Sequence, residues 1–174
     1  MKNLIFFTIL IFTLFSCSSD SSEDSSNGTI KWRFKANGVQ YEWSGNYPYS
    51  ATSGQCSYLG QPNSVPTIML STPVISSGNR EIMLTFTFQT ESTGTYTLDD
   101  CSQGNSANLI MGGATGTQYA TCFGLGEITL NVSQMASSTS GITKGTFSGT
   151  MYSVNQQMQP IQITDGSFEA IRIQ

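Results

Sequence analysis

The stretch Ile30–Trp43, IKWRFKANGVQYEW, decides the fold of this 174-residue chain. Its first half alternates apolar and cationic side chains, and this period of two places the two sets on opposite faces of a β-strand. Asn37-Gly38 follows, the dipeptide most typical of a two-residue hairpin turn. Counting outward from the turn pairs four aromatic residues on one face: Trp32 with Trp43, and Phe34 with Tyr41. We predict a β-hairpin whose aromatic face belongs to a core, because the alternating cations supply a face for solvent.

Further strand patterns occur at Glu81–Gln89, Glu127–Val132 and Thr143–Val154, whereas helical periodicity is nearly absent. Gly-rich turns separate these short strands. This combination is typical of an antiparallel β-sandwich of about 8–10 strands, with a flattened barrel as the alternative.

Two further segments lead to specific expectations. Asp165-Gly166 separates Ile161–Thr164 from Ser167–Ala170 and predicts a second two-residue hairpin. Residues 101–117 are rich in Gly, Ser and Asn, and we expect a long loop there around the short apolar run Leu109-Ile110-Met111.

The N-terminus has the pattern of a bacterial export signal. One lysine precedes an uncharged run from Leu4 to Phe15, which is shorter than the roughly 20 apolar residues of a spanning helix. Leu14-Phe15-Ser16-Cys17 resembles a lipobox, and that resemblance implies cleavage before Cys17 and lipidation of its thiol. We therefore expect a signal peptide at residues 1–16 and a protein held to the membrane by its N-terminal lipid.

The residues after Cys17 predict a spacer followed by one domain. Ser18–Gly28 contains no apolar residue, so residues 17–28 are expected to act as a tether. Its acidic residues, Asp20, Glu23 and Asp24, resemble those that direct lipoproteins of the Bacteroidota to the cell surface. A plain soluble spacer is the alternative. Residues 29–174 are long enough for a single domain with its own core.

Composition excludes several classes of function. The chain has 7 Lys and Arg residues against 11 Asp and Glu, and no basic patch is dense enough to bind nucleic acid. Histidine is absent, which excludes Ser-His-Asp and Cys-His nucleophile systems and His-based zinc sites. We expect no enzyme activity, no cofactor and no metal.

Three cysteines remain after the lipidated one. Export permits a disulfide, and an odd count allows at most one bridge within the chain. Cys101 and Cys122 are the favoured pair, closing a loop worth roughly 3 kcal/mol in the chain-entropy model. Cys56 would then be the free thiol.

Few residues are candidates for chemistry or binding. Asp99 and Asp100 are adjacent, so on a strand they point to opposite faces and make a poor catalytic pair. Together with Asn105 they are a conceivable calcium site, but the spacing lacks the pattern of a calcium loop. Tyr47 and Tyr49, in a Gly-, Ser- and Pro-rich segment, are the aromatic residues expected to be exposed and are the candidate ligand contacts.

Several motifs carry a family resemblance. They are F-x-A-N-G-V (34–39), G-T-Y-x-L (94–98), G-x-I-T-L (126–130), G-T-F (145–147) and I-T-D-G-S-F (163–168). With the lipobox and acidic tether, they make the chain resemble small, uncharacterised outer-membrane lipoproteins of the Bacteroidota. The resemblance implies an all-β domain anchored in the outer membrane, facing the periplasm or the cell surface, and implies no activity.

The sequence therefore favours a non-enzymatic, lipid-anchored envelope protein with a structural or binding role. The first alternative is an accessory protein that captures carbohydrate or another nutrient, with a glycan or a protein as its partner. The second alternative is a polysaccharide-active hydrolase.

Overall fold

The computed structural model describes residues 29–46, 55–59, 67–90, 92–113, 116–122, 125–154 and 158–173, and for 55–59 it describes the backbone only. The predicted signal peptide, Cys17, the tether, Tyr47 and Tyr49 lie outside these residues. Within them, no helix is long and apolar enough to cross a membrane.

The described residues form twelve strands and one short 3₁₀ turn. The strands are β1 (Thr29–Ala36), β2 (Val39–Asn46), β3 (Gln55–Leu59), β4 (Thr67–Ser71), β5 (Ile75–Ser77), β6 (Arg80–Gln89), β7 (Gly94–Leu98), β8 (Ser106–Met111), β9 (Thr117–Ala120), β10 (Glu127–Gln134), β11 (Ile142–Ser153) and β12 (Pro160–Arg172), and the turn is Cys101–Gln103. The predicted number of about 8–10 strands is too low, since strands as short as β5 give almost no periodic signal and β8 lies in a segment predicted to be a loop.

The strands make one curled sheet whose two halves pack face to face. One half has the order β2-β1-β12-β11-β10-β7, and the other has the order β3-β4-β6-β8-β9, with β5 beside β6. The halves are joined by short pairings of β3 with β12 and of β9 with β11. All pairings are antiparallel except that of β3 with β12. The all-β architecture predicted from the sequence, between a sandwich and a flattened barrel, is confirmed.

Aromatic rings fill the space between the two halves. Phe86 on β6 contacts Trp32 on β1 and Phe147 on β11, with ring centroids 6.3 and 4.8 Å apart. Phe88, also on β6, contacts Tyr96 on β7 at 5.3 Å. These contacts cross from one half of the sheet to the other, so the core lies between them.

The first hairpin forms in the predicted register. Trp32 pairs with Trp43 and Phe34 with Tyr41, around a turn in which Asn37 and Gly38 both have positive φ. Three of the four rings are fully buried, and Trp43 is half-buried and packs against the core. The prediction of an inward-facing aromatic hairpin is confirmed, although Trp43 is less enclosed than its partner.

The predicted second hairpin is wrong. Residues 160–172 form one continuous strand, and the register shifts by one residue at Asp165-Gly166 on both sides of it. Asp165 has a positive φ of 54°, so this dipeptide forms a β-bulge rather than a turn. The chain stays extended there because β1 and β11 pair with β12 on both sides of the bulge.

The predicted long loop at 101–117 is also wrong. It contains the 3₁₀ turn and β8, which pairs with β6 over Ser106–Met111. Ala107 and Leu109 face the core. The alternation in β8 is short and includes a small alanine, so the sequence alone gives no clear strand signal there.

Two similar tripeptides face each other across β11 and β12. Gly145-Thr146-Phe147 pairs with Gly166-Ser167-Phe168 so that each glycine lies opposite the other motif's phenylalanine. A Cβ placed on Gly145 would lie 2.6 Å from the Phe168 ring, and one on Gly166 would lie 2.5 Å from the Phe147 ring. Each ring therefore occupies the space that a side chain would fill on the neighbouring strand.

Candidate functional site

The topology separates the two ends of the larger half of the sheet. β1, β11 and β7 begin at the end where Thr29 leaves the predicted tether, and β2, β12 and β10 finish there. We call this the tether end. The opposite end, which we call the stapled end, consists of residues 37–38, 99–105, 121–122, 125–126, 154 and 158–159.

A disulfide fixes the stapled end. Cys101 follows β7 and Cys122 follows β9, and the two are bonded with their Cα atoms 5.1 Å apart, a separation that suits a disulfide. These are the two cysteines that the sequence analysis paired. The bridge links residues 21 positions apart in the chain. It therefore holds the segment between β9 and β10, which contains Cys122, against the segment after β7, which contains Cys101.

Asp100 organises the loop beside the disulfide. Its carboxylate accepts hydrogen bonds from the Ser102 backbone N–H at 2.8 Å and from the Ser102 hydroxyl at 2.7 Å. These hydrogen bonds hold the pKa of Asp100 below its usual value. Asp100 also forms an isolated β-bridge with Asn105. The carboxylate thus has a structural role as the cap of the 3₁₀ turn.

Two of the three side chains of the conceivable calcium site, Asp100 and Asn105, already have hydrogen-bond partners. The side-chain oxygen of Asn105 accepts the backbone N–H of Gln89 at 3.1 Å, and Asp99 is exposed. Among the residues described, no three acidic or cysteine side chains come close enough to hold a metal ion together.

Two exposed apolar side chains lie at the stapled end. Val154 is 44% exposed and Met158 is 58% exposed, on the segment that joins β11 to β12. The sequence gives no sign of either, because isolated apolar residues in a polar turn have no periodicity. Val74 and Ile173 are exposed elsewhere in the described structure, and scattered apolar residues of this kind are ordinary on a protein surface.

The outer surface of the larger half is divided into a charged and a neutral part. β1 places Lys31, Arg33 and Lys35 outward, and Lys35 pairs with Asp165 at 2.7 Å. This lysine holds the pKa of Asp165 below its usual value. A second ion pair links Lys144 and Glu169 at 3.4 Å. These contacts bind β12 to its neighbours on both sides.

The neutral part lies on β7 and on the middle of β10 and β11, between Glu127 and Lys144, and we call it the hydroxyl face. Its six Thr, Ser and Asn side chains are all exposed. They form two rows across the strands: Thr95, Asn131 and Thr146 in one, and Thr97, Thr129 and Ser148 in the other.

No family model, curated protein or solved structure matches this chain. The resemblance to outer-membrane lipoproteins therefore stays a prediction from the motifs. The hypothesis that Tyr47 and Tyr49 contact a ligand also stays a prediction, since both lie outside the described residues. The aromatic hairpin does not offer a flat sugar-binding platform, because Trp32, Phe34 and Tyr41 are fully buried.

Proposed function

We propose that this chain is a lipid-anchored protein of the bacterial outer membrane with no catalytic role. It holds its stapled end away from the membrane as a surface for structural contact or binding. The observation that carries this proposal is the position of Thr29, which starts β1 at the end of the sheet opposite the disulfide.

The dimensions support this arrangement. The twelve residues of β11 run the length of the sheet, which at about 3.3 Å per residue amounts to roughly 35 Å. A flexible tether of residues 17–28 has an average end-to-end distance of roughly 20 Å, which is shorter than the domain. An anchor at Cys17 would therefore keep Thr29, on average, closer to the bilayer than the stapled end.

Lipidation is tested by changing the two cysteines outside the disulfide one at a time. Cys17→Ser is expected to abolish incorporation of a labelled fatty acid and to leave the precursor uncut. Cys56→Ser, the matched control, is expected to be acylated and processed like the unchanged protein. A Cys17→Ser protein that is still processed and still requires detergent for extraction would refute the anchor.

The side of the outer membrane that the domain faces is a separate question. The acidic residues Asp20, Glu23 and Asp24 favour the cell surface. Replacing all three by their amides is expected to reduce antibody labelling of intact cells without changing acylation. Equal labelling of both proteins would show that these residues are a spacer only.

Carbohydrate capture is the second candidate function. The hydroxyl face favours it, because exposed hydroxyl and amide groups can form hydrogen bonds with sugar hydroxyls. A glycan array probed with the mature chain tests this function. Binding should be lost in Thr146→Lys on the hydroxyl face and kept in Ser76→Lys, which changes an exposed residue of β5.

The array result also separates the remaining alternatives. Binding that survives Thr146→Lys but is lost when Tyr47 and Tyr49 are replaced by alanine would assign the contact to that segment. Release of reducing ends from any bound glycan would favour the polysaccharide hydrolase over a purely binding protein.

A further inference from the structure

Two hydrogen-bonding atoms of the first hairpin are buried without a partner. The indole Nε1 of Trp32 and the hydroxyl of Tyr41 have no hydrogen-bond partner in the described structure, and both side chains are fully buried. The indole N–H can only donate, whereas the phenol can donate and accept. Leaving such a group unpaired in a core lowers the folding equilibrium constant by roughly five-fold or more.

The buried hydroxyl groups elsewhere in this core contrast with these two. They receive backbone N–H donors: Thr72 from Leu84 at 2.8 Å, Thr121 from Ala107 at 2.9 Å, Thr143 from Ala136 at 3.2 Å, and Ser153 from Gln159 at 3.0 Å. The fold thus supplies partners for polar groups in its interior. The two atoms of the hairpin depart from that rule.

Aromatic rings pack against both side chains. The Trp32 ring stacks on Phe168 at 5.2 Å and lies beside Phe147 and Phe86 at 6.1 and 6.3 Å. The Tyr41 ring stacks on Phe34 at 5.7 Å. These rings offer no conventional acceptor, and the indole N–H has no acceptor among the described residues.

The register brings the two groups to one place. Trp32 lies opposite Trp43, and Tyr41 lies opposite Phe34, so Trp32 and Tyr41 are diagonal neighbours on the inner face of the hairpin. Diagonal positions in an antiparallel pair are about 7–8 Å apart along the backbone. The two side chains therefore enter the core side by side from the same hairpin.

We propose that the space between the two halves of the sheet holds a bound oxygen group, which accepts the Trp32 N–H and exchanges a hydrogen bond with the Tyr41 hydroxyl. Two sources have this chemistry. One is ordered water, and the other is the hydroxyl or carbonyl oxygen of a small apolar molecule whose remaining surface packs on the phenylalanine rings. This interior site is independent of the anchor and of the outer surfaces.

Tyr41→Phe removes the hydroxyl alone and tests whether it has a partner. If the site is occupied, urea denaturation of the mature chain should show an unfolding constant raised about five-fold or more. Tyr96→Phe is the reference for a satisfied hydroxyl, because the Tyr96 hydroxyl donates to the Ser92 carbonyl at 2.6 Å. A Tyr41→Phe chain as stable as the unchanged protein, or more stable, would overturn the proposal.

The indole N–H identifies the source. In a Trp43→Phe chain, the remaining indole signal belongs to Trp32, and a cross-peak between it and a long-lived water assigns the site to water. A small molecule recovered in equal amount with the protein by solvent extraction and mass spectrometry assigns the site to a ligand. Absence of both a water cross-peak and an extracted molecule would refute the site.

Discussion

Replacing Gly145 by alanine should destabilise the domain strongly, although the change adds only one methyl group. The added Cβ would lie 2.2 Å from the carbonyl oxygen of Asn131 on β10 and 2.6 Å from the Phe168 ring on β12. Ordinary contacts of such a carbon begin at 3.4 Å. Strand β10 would therefore have to move by more than one ångström, because its backbone carbonyl cannot rotate away within the sheet.

The expected cost follows from the contacts on both sides. Overpacking of this kind costs about 1–3 kcal/mol, and disturbing a ladder hydrogen bond between β10 and β11 adds about 1 kcal/mol. Alanine lowers the entropy of the unfolded chain relative to glycine, which offsets about 0.4–1 kcal/mol of this loss in the free energy of unfolding. We expect Gly145→Ala to lower the free energy of unfolding by about 2 kcal/mol, the middle of the range that these contributions give.

Gly38→Ala provides the comparison at a turn. A Cβ at Gly38 would meet no atom within 4 Å, but its φ of 80° is unfavourable for alanine, which costs about 1–2 kcal/mol. Urea denaturation followed by circular dichroism measures both variants. A loss at Gly145 equal to or smaller than the loss at Gly38 would refute the close packing of the two tripeptides.

Three further perturbations test separate parts of the structure. In a Trp43→Phe chain, the fluorescence of Trp32 should be blue-shifted and only weakly quenched by acrylamide. In a Trp32→Phe chain, the fluorescence of Trp43 should be quenched more strongly. Equal quenching of the two variants would contradict the different burial of the two rings. Replacing Cys101 and Cys122 together by serine should lower the free energy of unfolding by about 3 kcal/mol, and peptide mapping that finds either one alkylated in the native protein would refute the bridge. Lys35 lowers the pKa of Asp165 in the folded state. The ion pair therefore stabilises the fold above the ordinary pKa of 3.8, and this stabilisation is lost as the pH falls through the folded pKa. Asp165→Asn should make the free energy of unfolding fall less steeply in acid, and an unchanged pH profile would contradict the ion pair.

Period-two alternation predicted the strands that are long enough to repeat it. The first hairpin combines a strict alternation with an Asn-Gly turn, and both signals are local, so the register from Trp32 to Trp43 could be counted from the sequence. Strand β11 followed from the same signal over Thr143–Val154. In these segments the local preference and the tertiary structure agree.

Long-range pairing decided the places where the prediction was wrong. Asp165-Gly166 accepts a positive φ, which suits a hairpin turn and a bulge equally well. The choice between them depends on β1 and β11, whose pairing with β12 continues on both sides of the dipeptide. Strand β8 likewise becomes recognisable only once β6 provides a partner for it.

The anchor at Cys17 was predicted from a motif, whereas the position of the stapled end and the buried site depend on the order of the strands. The arrangement in which β1 and β11 begin at one end of the sheet and the disulfide lies at the other cannot be predicted from local sequence patterns. The unpartnered atoms of Trp32 and Tyr41 could not be foreseen either, because residue type alone does not show which buried polar groups find a partner.

The proposal that the stapled end faces away from the membrane is tested most directly by distance. Val154 lies at the stapled end and Ser137 lies between β10 and β11 at the tether end, and both are exposed. Each would be changed to cysteine in a Cys56→Ser background and labelled with a fluorophore, and the lipidated protein would be placed in liposomes that contain a headgroup quencher. Strong quenching at position 137 with little at position 154 is the predicted result. Equal quenching at both positions, or stronger quenching at 154, would contradict the proposed orientation.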